Sequence, residues 1–296
     1  MPTDISVVIV NHNAGDYLVS CVTSACVAAR QIIVVDNAST DGSLEALEAT
    51  PREFPGLEII RNCQNLGFAH ACNVGIARAE EQWLLLLNPD AVLQEGAADY
   101  LLEAMRARPD VGMAGPRILN PDGSDQNDSR REIPTTRKAL GRALGVGPLA
   151  PLARRFFPDY SQHDAPLPTA PEAVEAVSGA CLLVRRAAME DVGLLDESYF
   201  LHCEDLDWCM RFGQAGWTIL FVPDALVEHD KGGCSRSRPI FVEWHKHRGM
   251  LLFYRKFFRD DDALPLRWLV YAGVAARFSA AAAFRLLTRL TARGHG

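Results

Sequence analysis

No two of the chain's eight cysteines, Cys21, Cys26, Cys63, Cys72, Cys181, Cys203, Cys209 and Cys234, stand in a C-x-x-C pair, so neither a zinc framework nor a disulfide scaffold is encoded. Scattered thiols of this kind are expected to stay reduced, as in a cytoplasmic protein. The amino-terminal residues lack a basic n-region, and their apolar run, Ile5–Val10, is too short for a signal peptide or a membrane span. A first β-strand is expected there instead. An excess of positive charge is also missing: the net charge is −7, which argues against a nucleic-acid partner. There is no internal repeat and no Walker or dinucleotide glycine fingerprint.

What the 296 residues do hold, at 48% hydrophobic content, is enough apolar material for one large α/β domain with appendages. The β-branched runs Ile5–Val10 and Gln31–Val35 flank a segment of helical length, Gly15–Arg30, which is the pattern of a βαβ unit. A third strand is predicted at Leu57–Arg61, a helix around Ala69–Glu81, and a strand at Trp83–Leu87 that stops at Asn88-Pro89-Asp90, because proline cannot continue a ladder. Strands alternating with helices over the first 120 residues predict a doubly wound sheet with ligands at the strand carboxyl ends. From Asn120 to about Ala170, Pro, Gly, Asp and Ser dominate among short basic helices, an excursion with the character of a lid. Beyond it the pattern predicts a strand over Ala176–Arg185 and helices over Arg186–Val192 and Glu204–Gln214. A strand over Thr218–Val222, closed by Pro223, and an amphipathic helix over Phe241–Arg259 follow.

Polar side chains collect where these strands end. Asn11, His12 and Asn13 follow the first strand, and Asp36, Asn37, Ser39 and Asp41 follow the second. Such groups either read a base and ribose by hydrogen bonds or serve as ordinary turn and cap residues. The stretch from Asn65 through Gly67 to Asn73 and Gly75 is a glycine-bearing turn into a helix, which lets backbone approach an anionic ligand. Asp90 is placed to hold a hard divalent cation whose other ligands come from phosphates; a plain Asn-Pro-Asp turn is the alternative. Glu204, Asp205 and Asp207 open a helix, where the macrodipole favours acids and Asp207 can pair with Arg211 at i,i+4. A carboxylate there that faces a pocket can deprotonate a hydroxyl. His229, after the last core strand, is either a metal ligand or a structural histidine.

Taken in this order, from about Ser6 to Lys231, the pieces resemble family-2 glycosyltransferases of the GT-A fold, particularly their rhamnosyltransferase-like branch. The resemblance implies an α/β fold with a mixed, mainly parallel sheet flanked by helices and a C-terminal helical extension. It implies an inverting sugar transfer to a hydroxyl of a glycan or lipid-linked acceptor in cell-surface polysaccharide synthesis. The donor implied is a nucleotide-diphosphate sugar, either dTDP-rhamnose or a UDP-sugar carrying hexose or galactofuranose. Within that resemblance Asp36 binds the base beside Asn37 and Ser39, Asn11 and Asn13 line the nucleotide site, and Asn65, Gly67 and Asn73 approach ribose and phosphates. Asp90 and His229 hold Mg²⁺ or Mn²⁺. Asp205 is the catalytic base with Glu204 as neighbour, Ser178, Gly179 and Ala180 flank the donor sugar and acceptor entrance, and Arg211 supports the acidic cluster. The family's usual Asp-x-Asp metal motif is here Asn88-Pro89-Asp90, a departure typical of the branch that leaves Asp90 as the only motif carboxylate. The expected division is a catalytic domain over 1–240, with a nucleotide-binding half (1–120), the excursion (120–170) and an acceptor half (171–240), then an extension over 241–296.

The extension explains the remaining charge pattern. Residues 263–296 carry five arginines and no acid, which leaves the rest of the chain at −12, with 25 basic against 37 acidic residues. Trp268–Leu290 mixes apolar residues with arginine, so an interfacial helix on the cytoplasmic face of a membrane is expected rather than a span. The alternatives are packing on the protein's own body or on a second copy in a homodimer. A sugar nucleotidyltransferase would need a basic, glycine-rich amino-terminal loop, and Asn11-His12-Asn13 offers none. A non-catalytic sugar-nucleotide-binding relative would have no need of Asp90, Asp205 and His229 together.

Overall fold

Six strands of the main sheet run in one direction because helices carry the chain back between them. In the computed structural model, which describes residues 3–136, 138, 166–235 and 238–293, β1 (Thr3–Asn11), β2 (Ala29–Asp36), β3 (Leu57–Arg61) and β4 (Trp83–Leu87) pair in parallel in the order β3-β2-β1-β4. Helices α1 (Tyr17–Ala28), α2 (Ser43–Glu48) and α3 (Phe68–Ile76) make the connections. Alternation along β1 sorts its side chains between two faces. Ile5, Val7 and Ile9 join Ile32 and Val34 in a core shared with α1, α2 and α4 (Ala97–Arg106). On the opposite face α3 lies so close that a Cβ at Gly75 would meet Val8 Cγ1 at 2.4 Å. Each fully buried aliphatic side chain contributes roughly 1.5–3 kcal/mol, and the central runs of β1 and β2 and the whole of β4 are apolar.

The sheet continues as β10 (Cys181–Arg185), β6 (Val111–Leu119), β11 (Thr218–His229) and β5 (Ala91–Leu93), with β8 (Glu172–Ala173) also on β11. β10, β5 and β8 run antiparallel to their neighbours, so the sheet is mixed and mainly parallel. Two short strands, β7 (Arg130–Arg131) and β9 (Ala176–Val177), form a separate ribbon. The helices after β10 are α5 (Arg186–Val192) and α6 (Glu204–Gln214).

Several boundaries differ from the sequence expectation for identifiable reasons. Pro223 does not close the last strand: β11 runs on to His229, and the ladder absorbs the proline at an irregularity between Val222 and Leu226. The strand expected over Ala176–Arg185 is two, β9 and β10, interrupted at Ser178–Ala180. The helix expected to reach Glu81 stops at Ile76. Most of the expected excursion, including its short basic helices, lies outside the described residues.

The chain forms two compact units. The described part of the first comprises residues 3–132, 166–200 and 204–234, and carries the sheet. The described part of the second comprises 133–136, 138, 201–203, 235 and 238–293. Its two long helices are α7 (Pro239–Phe257), with proline in its first turn, and α8 (Leu264–Arg293). They form an antiparallel hairpin, because Trp244 meets Phe278 at 5.5 Å between ring centres and Tyr254 meets Tyr271 at 5.9 Å. Leu264–Leu286 is long and apolar enough to cross a membrane by length and composition, with a mean hydropathy of 1.3 and none of it buried. Trp268 and Phe284 are 68% and 64% exposed.

Candidate active site

The first cluster forms where β1 and β2 end side by side, with Asn11 directly opposite Asp36 in the ladder. The Asn11 amide donates to Asp36 Oδ1 at 2.8 Å, Ser43 Oγ at 3.0 Å and Ser39 Oγ at 3.1 Å. Asn13 adopts a left-handed backbone, φ 56°; its N–H donates to Ser39 Oγ and its side-chain carbonyl accepts the Thr40 N–H. Asn37, buried, donates to Asn65 Oδ1 and the Gly67 carbonyl, while its own oxygen accepts from Asn62 and the Leu66 N–H. Burial works against the Asp41 carboxylate, but hydrogen bonds from Ser43 and the Gly15 N–H outweigh it and hold it below the usual range. Asn11, Asn13, Asp36, Asn37, Ser39, Asn65 and Gly67 are therefore one hydrogen-bonded edge, pre-set in shape. Gly67 sits at φ 92°, and a Cβ there would meet the Phe200 carbonyl oxygen at 2.7 Å.

The second cluster is built by the extension of β11. β5 pairs antiparallel with it, setting Ala91 opposite His229, so Asp90 at the end of the β4 turn faces the last residue of β11. His229 Nε2 lies 3.2 Å from Asp90 Oδ1, both side chains nearly buried. Gln126 is bonded to His229 twice: its amide N–H donates to the His229 carbonyl at 2.6 Å, and its Oε1 lies 3.2 Å from Nδ1. Gln126 Oε1 can only accept, so Nδ1 carries a proton, and the ring is held with Nε2 facing Asp90. A carboxylate oxygen and an imidazole nitrogen this close are a donor pair that suits a divalent cation, and Gln126 holds the ring from behind as the outer partners of metal-bound histidines do. Among the described residues no third His, Cys, Asp or Glu joins them, so the phosphates of a ligand would complete the coordination, as hard cations with few protein ligands require.

The third cluster opens α6. Gly179 donates its N–H to Asp205 Oδ2 at 3.0 Å, and the Leu206 N–H reaches Oδ1 at 2.8 Å. Arg131 forms an ion pair with Oδ2 and also donates to the Val177 carbonyl. Burial opposes ionisation of Asp205, but Arg131 and the two backbone N–H groups prevail and lower its pKa. Glu204 has no bond to that cation: burial, and then the charge of Asp205, outweigh the field of Arg131 and push it up to about 8. The same loop ties this cluster to the Asn88–Asp90 turn, because Ala180, held by the Ser178 hydroxyl, accepts the Asn88 N–H at 2.8 Å.

Two expected site residues also anchor a neighbouring segment. Asn73 clasps Leu195 through both its N–H and carbonyl and also donates to Glu197. Arg211 donates to Asp207 at 2.7 Å, the support of the acidic cluster expected of it, and to the carbonyls of Val192 and Leu194. Both thereby hold the 192–197 segment. Sequence reasoning missed Gln126 and Arg131, which sit in the excursion; the only signal was a basic pair in a stretch otherwise poor in strands.

The three clusters stand at the ends of β1 and β2, at the β4 turn beside the end of β11, and at the start of α6. The sequence model of glycosyl transferase family 2 matches residues 6–193. The chain belongs to that family. Among family-2 glycosyltransferases it is 32% identical, over 92% of its length and 90% of the relative's, to N-acetylglucosaminyl-diphospho-decaprenol L-rhamnosyltransferase of Mycobacterium tuberculosis. It is 24% identical to a rhamnosyltransferase of Escherichia coli K12, over 73% of this chain and 80% of the other. These place it in the rhamnosyltransferase branch, and it is a glycosyltransferase. Among solved structures it resembles a mannosyltransferase of Pyrobaculum calidifontis in complex with GDP-Man and Mn²⁺, with a TM-score of 0.56, 16% identity, and coverage of 100% of this chain and 80% of that one. That likeness establishes the GT-A fold.

Proposed function

We propose that this glycosyltransferase moves L-rhamnose from dTDP-rhamnose to a hydroxyl of a lipid-linked acceptor, with inversion at the anomeric carbon. The observation that carries this is the likeness to the mycobacterial rhamnosyltransferase over nearly the whole of both chains. The edge around Asn11, Asp36, Asn37 and Ser39 supports recognition of the donor's base and ribose. Asp205 accepts the proton of the acceptor hydroxyl as its oxygen attacks the anomeric carbon. The bond to the diphosphate breaks at the same time, its electron pair leaving on the phosphate oxygen, so no covalent intermediate is needed. Asp90 and His229 would hold Mg²⁺ or Mn²⁺, which when bound supplies positive charge to the departing diphosphate. Ser178, Gly179 and Ala180, between the base and the Asn88–Asp90 turn, border the sugar. Asn73 and Arg211 act by fixing the 192–197 segment.

We further infer that the protein works at the cytoplasmic face of a membrane. α8 exposes Leu264, Trp268, Leu269, Phe284 and Leu286 alongside arginines, a composition that suits contact with lipid and anionic headgroups, and a lipid-linked acceptor would be met there. The test of the donor is thermal unfolding with dTDP-rhamnose, UDP-glucose, UDP-galactose and GDP-mannose, each with Mn²⁺, Mg²⁺ or chelator, followed by transfer to a polyprenyl-diphosphate acceptor. Metal-dependent stabilisation and turnover are expected with dTDP-rhamnose. Selective turnover of another donor would overturn the assignment of the sugar.

A further inference from the structure

Two adjacent carboxyl groups open α6: Glu204 is buried, and Asp205 beside it is half-buried, with 14% of its side chain exposed. Bringing two such groups out of water favours ionisation of only one, because like charges at close range oppose each other. The surrounding elements decide which. Asp205 Oδ2 receives the Gly179 N–H and the Arg131 guanidinium, whereas Glu204 Oε2 is buried with no hydrogen-bond partner. The guanidinium arrives from β7, whose two residues pair with Ala176 and Val177 immediately before the Ser178–Ala180 loop. Arg131 Nε is likewise buried and without a partner. A half-buried arginine whose Nε is left unsatisfied is a poor device for stability alone.

Building on the role of Asp205 as base, we propose that Arg131 is a positioning residue whose guanidinium selects Asp205 over Glu204 as the carboxylate of the pair and fixes its orientation beside Gly179. The other titratable groups around the pair do not compete for this task. Cys209, one turn along α6, is a thiol pushed up by burial to about 12, and Cys72 of α3, beside Glu204, is raised as well. Both are neutral. Asp128 near Arg131 is engaged by Lys231 at 2.5 Å. Loss of the guanidinium would let Asp205 and Glu204 share one proton, so the base would be neutral part of the time.

The experiment compares wild type, R131K, R131Q, E204Q and R131Q/E204Q in two readouts. The first is a ¹³C carboxyl titration of donor-free protein, with the Asp205 signal assigned by its loss in D205N. The second is the pH profile of kcat/KM, which reports ionisations of the free enzyme. In R131Q the Asp205 titration and the acidic limb are expected to move up by about one to three units, with the KM for donor retained. R131K should keep most of the low titration. E204Q should leave Asp205 low, and adding E204Q to R131Q should bring the limb part of the way back. An Asp205 titration unmoved in R131Q, or equal losses in R131K and R131Q at every pH with the limb in place, would overturn the proposal. Should R131Q not fold, a normal Asp205 titration in wild type, or one displaced in E204Q, would overturn it as well. The expected titrations together with full transfer by D205N would instead remove the base assignment and leave the Arg131 clasp standing.

Discussion

His229 Nε2 and Asp90 Oδ1 face each other across 3.2 Å, although 139 residues of chain separate them. Their meeting depends on β11 continuing past Pro223 to pair with β5, and Gln126 fixes the histidine from behind. D90N and H229A are expected to abolish Mn²⁺-dependent donor binding. Q126L, which removes only the support, should weaken apparent metal affinity by about 10–100-fold. Mn²⁺ titrations of the donor-induced thermal shift check both.

Glu204 makes stability depend on pH in a direction set by its environment. Its pKa is about 8 in the folded protein, against 4.5 as the ordinary value, so between these limits the folded state binds a proton that the unfolded state has shed. Unfolding free energy from this group therefore falls as pH rises from about 4.5 to about 8. E204Q removes that dependence. Its Tm relative to wild type should rise across this window, by ~2–4 °C per kcal/mol recovered, and a gap that is constant from pH 5 to pH 8 would contradict the assignment.

Gly67 has both a left-handed backbone and a carbonyl oxygen where a side chain would begin. G67A is expected to cost about 1–3 kcal/mol and to loosen the Asn37–Asn65 turn that depends on it. The urea midpoint reads the first effect, and donor affinity reads the second.

Removal of residues 263–296 takes away the exposed apolar and arginine side chains of α8. Cosedimentation with phosphatidylglycerol vesicles should be lost in the truncated protein, while the donor-induced thermal shift remains. Undiminished binding to vesicles would contradict the membrane assignment; conversion of a dimer to a monomer without any vesicle binding in the full chain would assign α8 to a second copy.

The parallel half of the sheet was legible in the sequence because Val7–Val10, Ile32–Val35 and Trp83–Leu87 are unbroken apolar runs that lead into polar turns, which puts Asn11, Asp36 and Asp90 at strand ends. Asp205 and His229 were legible as members of an ordered set of motifs. The rest depends on contacts distant in sequence. Pro223 carries a local stop signal that tertiary pairing overrides. The Asp207–Arg211 pair was legible from its i,i+4 spacing, whereas the bonds of Asn73 and Arg211 to the 192–197 segment depend on a loop whose path the sequence does not reveal. Gln126 and Arg131 lie in a stretch with no periodicity, and each becomes meaningful only through a partner 103 or 74 residues away.

The most direct test of the account is D205N, assayed for both rhamnosyl transfer and donor binding at pH 7 with saturating Mn²⁺. The account predicts that transfer falls by about 10²–10⁴-fold, the contribution typical of a general base, while the thermal shift produced by dTDP-rhamnose and Mn²⁺ is retained. Transfer at the wild-type rate, or loss of donor binding in step with loss of transfer, would contradict the assignment of Asp205 as the base.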